Sequence, residues 1–380
     1  MRAALLAAAL AAASGPAQAA PTDSLALDAA QLLVVGARGA AHSPGDQFED
    51  LICGLKVGGL ILFERDVDQD GAPRNIRSKE QVSQLTASLH KLAAACGNAP
   101  LLIAVDVEGG VVNRLSTFPE LKKIKSHAWL GAHEPSRTYE TASRIGREMA
   151  EAGLNWTLAP VVDVNINPEN PVIGRHGRSF SADPAIVTRH AHSFIRGLQD
   201  HGVLHCLKHY PGHGSSAKDS HLGAVDVTKT SEPVIELEPY EQLIDRGIVD
   251  CVMTAHIFDS GVDPDWIVTF SSRAIEGTLR GALGYEGVVI TDDLQMRAVS
   301  QHHKLTEAAV LAIRAGNDMV IVSNNRHPYE KSQAQNIHNA LLSAVMEGRL
   351  PLARVREAAE RVRTMKQKLR RREETPEEAP

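Results

Sequence analysis

Eight short apolar runs punctuate the 380-residue chain, and they limit its fold more than any other feature. They are Leu32 to Val35, Val57 to Phe63, Leu101 to Val105, Trp156 to Val162, Val203 to Leu207, Cys251 to Ala255, Gly287 to Ile290 and Asp318 to Val322. Between them lie stretches of amphipathic helical spacing, such as Lys79 to Ala95, Glu140 to Ala152, Ala185 to Gln199, Ser271 to Leu283 and Thr306 to Ala315. Continuous apolar runs, unlike alternating ones, suit parallel strands covered on both faces. A repeated strand-helix unit of this kind predicts an α/β fold, a (β/α)8 TIM-type barrel in a single domain, with a doubly wound open sheet as the alternative.

A barrel of this kind carries its catalytic groups at the C-terminal ends of its strands. Asp106 ends the third run, Lys208 and His209 the fifth, His256 the sixth, and Asp292 with Asp293 the seventh. Polar residues scattered at random would not choose the same end of four runs.

The termini read differently from the body. Met1 and Arg2, the apolar Ala3 to Ala13 and the small-residue site Ala17-Gln18-Ala19 form an export signal, residues 1–19, which predicts a periplasmic protein. The catalytic domain is expected over residues 20–369. It closes on a surface helix that buries Val355, Ala358, Val362, Met365 and Leu369, and a charged flexible tail follows at 370–380.

Net charge is −6 with both signs mixed throughout, so no basic stripe argues for nucleic acid, and no later apolar run is long enough to span a membrane. No obligate protein partner is evident. Cys53, Cys96, Cys206 and Cys251 make no metal-ligand spacing. Export allows a bridge among them. Cys206 and Cys251 lie in apolar runs and read as small buried hydrophobes.

The densest chemistry is KHYPGHGSSAKDSHLG, Lys208 to Gly223. Within it Asp219 and His221 are one residue apart, so a carboxylate can fix the tautomer of an imidazole that protonates a leaving oxygen. Asp292, just past a buried strand, can attack an electrophilic carbon and hold a covalent intermediate, whereas Asp293 reads as a helix N-cap. In DVEGGVVNR, Asp106 and Arg114 can clamp vicinal hydroxyls, one accepting and the other donating. Arg178 sits in a long Pro/Gly loop after the fourth run. His205, His209, His213 and His221 raise a metal reading. Pro211, Gly212 and Gly214 break any helix that would align them, and strand residues four apart stand about 13 Å from each other. No metal or organic cofactor is assigned, and His205 reads as a core histidine.

Taken in order, VGGLILF, DVEGGVVNR, LAPVVDVNINPENPVIG, GRSFSADP, KHYPGHG, DSH, VMTAH, GVVITDDLQM and AGNDM resemble glycoside hydrolase family 3, and within it the single-domain bacterial β-N-acetylglucosaminidases. The resemblance covers Leu32 to Leu369 and implies a (β/α)8-type barrel and a retaining, exo-acting β-N-acetylhexosaminidase. By resemblance, Asp292 is the nucleophile, His221 the acid/base and Asp219 its orienting partner. Asp106, Arg114, Arg178, Lys208 and His209 would hold the terminal N-acetylglucosamine of a carbohydrate substrate. Val111 departs from an Arg common in the EGGR form, Ser215-Ser216 from an Asp-Thr pair, and the IGRHGRSF loop is longer than usual. Alternatives are a β-glucosidase, a phosphorylase, or a sugar-binding protein without catalysis.

Overall fold

The computed structural model describes residues 21–373, so the export signal expected at residues 1–19 lies outside the described residues. Each apolar run contributes one strand to a single parallel sheet: β1 (Leu33–Gly36), β2 (Gly59–Ile61), β3 (Leu102–Val105), β4 (Trp156–Thr157), β5 (Leu207–Tyr210), β6 (Cys251–Thr254), β7 (Val288–Asp293) and β8 (Met319–Val322). The spatial order is β4-β3-β2-β1-β8-β7-β6-β5, and every neighbouring pair is parallel.

The sheet is curled, and isolated bridges link the chain near its two outermost strands. Trp156 pairs with Leu204 and Val161 with Lys208, and the Thr157 N–H donates to Leu204 O at 2.9 Å. The fold is therefore α/β, built on a curled eight-stranded parallel sheet.

Side chains alternate between two apolar clusters. Leu102 and Ala104 of β3, Val288 and Ile290 of β7, and Met319 and Ile321 of β8 point into the curl, while Ile103, Val105, Val289, Val320 and Val322 pack outward. Both faces are dry, which is why the strands read as continuous apolar runs.

The longer helices are α1 (Pro21–Gln31), α2 (Lys79–Ala95), α3 (Pro135–Glu151), α4 (Pro184–Gln199), α5 (Pro233–Ile244), α6 (Leu305–Ala315), α7 (Gln333–Met346) and α8 (Leu352–Glu373), with a π-helical segment at Arg273–Ala282. Ser78 caps α2 by accepting the Gln81 N–H, and Asp183 caps α4 ahead of Pro184. Only short helical turns, Gln47–Glu49 and Asp50–Leu55, separate β1 from β2, so the strand-helix alternation is irregular there. Helix α8 sends Val362, Met365 and Leu369 into the inner cluster. Leu369 lies beside Leu101, Asn155 and Val203, which precede β3, β4 and β5, so α8 plugs the N-terminal mouth of the curl.

Two local expectations need correction. Strand β5 begins at Leu207 and runs through Lys208 and His209, because pairing with β6 continues as far as Tyr210 and Thr254. Cys206 and Cys251 are buried as expected but are also bonded to each other, since both face the curl from adjacent strands; Cys53 is bonded to Cys96.

Candidate active site

The alternation that makes the inner face apolar does not stop where the apolar residues do. Leu102 and Ala104 lead to Asp106, Leu204 and Cys206 to Lys208, and Val288 and Ile290 to Asp292. Period two thus delivers three polar side chains to the C-terminal mouth of the curl, opposite the α8 plug.

Lys208 Nζ lies 2.9 Å from Asp106 Oδ1 and 2.7 Å from Glu108 Oε1. Glu108, 1% exposed, also receives Arg178 Nε and Nη2, each at 2.8 Å. Burial pushes the Glu108 carboxyl up, but Arg178 and Lys208 outweigh it and hold the group well below the usual carboxylate range. Burial likewise pushes Lys208 down, and Asp106 and Glu108 reverse that, leaving its pKa raised. Arg178 spends a further N–H on Val172 O at 3.0 Å, and its Nη2 stands 3.5 Å from His209 Nε2. A guanidinium only donates, so His209 Nε2 accepts and its Nδ1 carries the proton, directed to Asp163 Oδ2 at 2.7 Å.

Of the five residues expected to grip the sugar, Asp106, Lys208, Arg178 and His209 form one connected cluster. Arg114 reaches it through its backbone, donating N–H to Asp106 O at 3.0 Å, while its Nη1 stands 3.5 Å from Glu64 Oε1. The small hairpin that pairs Val107 with Asn113 brings the Arg114 backbone back to Asp106, and in this structure the Asp106 carboxylate takes Lys208 rather than Arg114.

Asp292 is half-buried, and its Oδ1 accepts the Asp293 N–H at 2.7 Å. Burial raises its pKa, but His209, His256 and His221 together with that N–H bring it down to about 2. Asp293 has a different role from the N-cap expected of it. The helix Arg297–Ser300 is entered at Met296. Asp293 instead accepts the Ser323 hydroxyl at 2.5 Å and the Ser323 N–H at 3.2 Å, tying β7 to the end of β8. His256 donates Nε2–H to Asp293 O at 3.0 Å and meets Thr269 Oγ1 at 2.7 Å through Nδ1. Burial lowers its pKa, and the charge on Asp292 works in the opposite direction.

The loop after β5 is held close to the segment after β4. A Cβ on Gly214 would stand 1.7 Å from Val164 O, so only glycine allows that approach. Asn170 Nδ2 donates to His213 O at 2.7 Å and to Ser216 Oγ at 3.0 Å, and its Oδ1 accepts the Val172 and Ile173 N–H groups. Farther along the loop, Asp219 Oδ1 lies 2.8 Å from both the His221 N–H and His221 Nδ1. A carboxylate only accepts, so His221 Nδ1 holds its proton there and Nε2 is left for exchange with a reactant. The His221 side chain is 58% exposed and close enough to Asp292 to help lower its pKa.

The other loop histidines have separate partners. His205 is buried 2.9 Å from Asp250, His209 takes Asp163, and His213 takes two serine hydroxyls. Among the described residues no group of three or more His, Cys, Asp or Glu side chains is placed to hold a metal. Glu108, Asp163 and Asn170 were not singled out from sequence. Asp163 follows the fourth apolar run directly, and the end-of-run rule that found Asp106 and Asp292 would have found it too.

A sequence profile described as "Glycosyl hydrolase family 3 N terminal domain" matches residues 24–365. The chain belongs to this family. Among family 3 relatives it is similar to Beta-hexosaminidase LpqI of Mycobacterium tuberculosis, 32% identical over 362 residues that cover 92% of this chain and 84% of the relative. Its structure superposes with a TM-score of 0.83 on a glycoside hydrolase family 3 β-N-acetylglucosaminidase from Paenibacillus sp., 37% identical, covering 94% of this chain and 64% of that one. A second solved relative, the β-N-acetylhexosaminidase of Beutenbergia cavernae, gives a TM-score of 0.80 at 31% identity, with 90% of this chain and 98% of that chain covered.

Proposed function

We propose that this family 3 chain is an exo-acting, retaining β-N-acetylhexosaminidase that removes terminal β-linked N-acetylglucosamine from cell-wall or chitin-derived glycans. The observation that carries the reading is the Asp219–His221 pair at 2.8 Å, on the loop that follows Lys208 and His209, near an Asp292 carboxylate whose pKa lies below the ordinary aspartate value. The names of the relatives point the same way.

In this reading Asp292 attacks the anomeric carbon while His221, protonated and oriented by Asp219, gives its Nε2 proton to the departing oxygen. A glycosyl ester on Asp292 forms, and water, deprotonated by His221, then releases the sugar with net retention. This differs from the common pair of carboxylates in that an imidazole serves as acid/base. Asp106, Lys208 and His209 line the terminal subsite. Arg178 acts mainly by holding Glu108 and facing His209. Arg114 stands at the rim with Glu64.

Three further assignments belong to the same proposal. The curled sheet is a closed (β/α)8 barrel, supported by the hydrogen bonds that join β4 to the residues before and on β5. Residues 20–369 form one catalytic domain. The protein is exported to the periplasm, a destination supported by the Met1–Ala19 pattern and by two cysteine pairs suited to an oxidising compartment. Among the described residues no helix is long and apolar enough to cross a membrane.

The test is intact-mass measurement after reaction with a fluorinated N-acetylglucosamine that accumulates the glycosyl-enzyme. One sugar should be added, and the labelled peptide should contain Asp292. No adduct, or an adduct on another residue, would reject the nucleophile assignment.

A further inference from the structure

The catalytic loop carries a second histidine that the proposed chemistry does not use. His213 is 2% exposed, and its ring spans the loop from within: Nδ1 lies 2.9 Å from Ser216 Oγ and Nε2 3.1 Å from Ser220 Oγ. Ser216 Oγ also accepts from Asn170 Nδ2 at 3.0 Å and lies 3.2 Å from Lys218 O, so the ring is held between two serine hydroxyls whichever nitrogen carries its proton. Burial, with help from His209, lowers the pKa of His213 to about 4, which agrees with a neutral ring.

Both ends of this bridge are anchored outside the loop. The His213 N–H donates to Asp163 Oδ1 at 2.7 Å, and the other oxygen of that carboxylate holds His209 Nδ1. Ser220 stands between Asp219 and His221. Its carbonyl accepts the Ala298 N–H at 3.2 Å, from the helix that follows the strand of Asp292. The Asp219–His221 contact is internal to the loop, so it cannot by itself set where the imidazole stands relative to Asp292. Contacts that leave the loop can.

We propose that the His213–Ser220 pair is a positioning device that fixes the Asp219–His221 dyad over Asp292 and ties it, through Asp163, to the sugar contact His209. The proposal rests on the reading of His221 as acid/base. Proton transfer depends steeply on placement, and a dyad on a half-open loop gains its effective concentration from such ties.

The test compares Ser220→Ala and His213→Gln with wild type on aryl N-acetyl-β-glucosaminides of graded leaving-group acidity, and repeats both in a His221→Ala background. Ser220→Ala should lower kcat/KM by about tenfold on the poorest leaving groups and by less than about threefold on the most activated one, which needs no proton. In the His221→Ala background the same change should cost nothing further, because the dyad it positions is gone. A loss equal across leaving groups, or one that persists without His221, would overturn the proposal. If His213→Gln fails to fold, Ser220→Ala decides alone. A steep profile for His221→Ala with a flat one for Ser220→Ala rejects only the positioning role, whereas a flat profile for His221→Ala rejects the acid/base reading and the positioning role together.

Discussion

Asp292 and Asp293 are adjacent in the chain, yet their pKa values move in opposite directions. Asp292 is brought down to about 2 by the histidines around it, while burial raises Asp293, which holds the Ser323 hydroxyl at 2.5 Å. Adjacent strand residues face opposite sides of a sheet, so one carboxylate meets the cleft and the other the β7–β8 seam.

The two aspartates should therefore fail differently. Asp292→Asn should lower kcat by roughly 10⁴-fold or more with the thermal midpoint preserved, since the amide keeps an oxygen for the Asp293 N–H and loses the nucleophile. Asp293→Asn keeps an oxygen for Ser323 and should cost less than about tenfold. Steady-state kinetics on an aryl N-acetyl-β-glucosaminide separate them, and comparable losses would mean that the wrong carboxylate has been called the nucleophile.

His221→Ala should reduce turnover of glycosides with poor leaving groups by about 10²- to 10⁴-fold and spare activated aryl glycosides in the first step. Asp219→Asn should follow the same pattern more weakly, because the imidazole remains but loses the carboxylate 2.8 Å from Nδ1. The measurement is the slope of log kcat/KM against leaving-group pKa. An unchanged slope in both variants would assign the pair a structural role.

How much of this was legible in the sequence depends on whether a feature is set along one strand or between strands. Asp106, Lys208 and Asp292 could be found because each extends the inner face of its own strand by one step. The sequence reading separated Asp292 from Asp293 but made the latter an N-cap, because its partner Ser323 lies at the end of another strand. What could not be read are the relations between strands. The Cys206–Cys251 bond requires β5 and β6 to be neighbours in register, and the Arg114 side chain pairs with Glu64 only because a hairpin returns its backbone to Asp106. The irregular β1–β2 connection was hidden because apolar spacing alone does not measure helix length between strands.

Glu108 should matter for folding as well as binding. It is the shared counter-ion of Lys208 and Arg178, so Glu108→Ala leaves two buried cations without it and should destabilise the protein by about 3–5 kcal/mol in denaturant titration. Removing Glu169 from its exposed pair with Arg175 should leave the midpoint unchanged and serves as the control. A Glu108→Ala protein as stable as wild type would mean that the cluster is open to water.

Glu236 supplies a pH test that does not depend on the catalytic reading. It lies on α5, 4% exposed, with Oε2 accepting the Glu232 N–H at 3.0 Å and its stem filling the space that a side chain on Gly212 would need. Burial, partly offset by that N–H and by Ser215 and reinforced by the charge on Asp163, raises its pKa from 4.5 to about 7. Between those two values the folded chain holds a proton that the unfolded chain has released. The stabilisation from this proton is full below about pH 4.5 and is lost as pH rises through about 7, so at higher pH folding must bury a carboxylate. Glu236→Gln is neutral throughout and escapes that cost, which is on the order of 3 kcal/mol. Its thermal midpoint should exceed that of wild type by a clearly larger margin near pH 8.5 than near pH 5. If the margin is the same at both, the carboxyl is ionised already in the folded protein at the lower pH, and burial does not govern its titration.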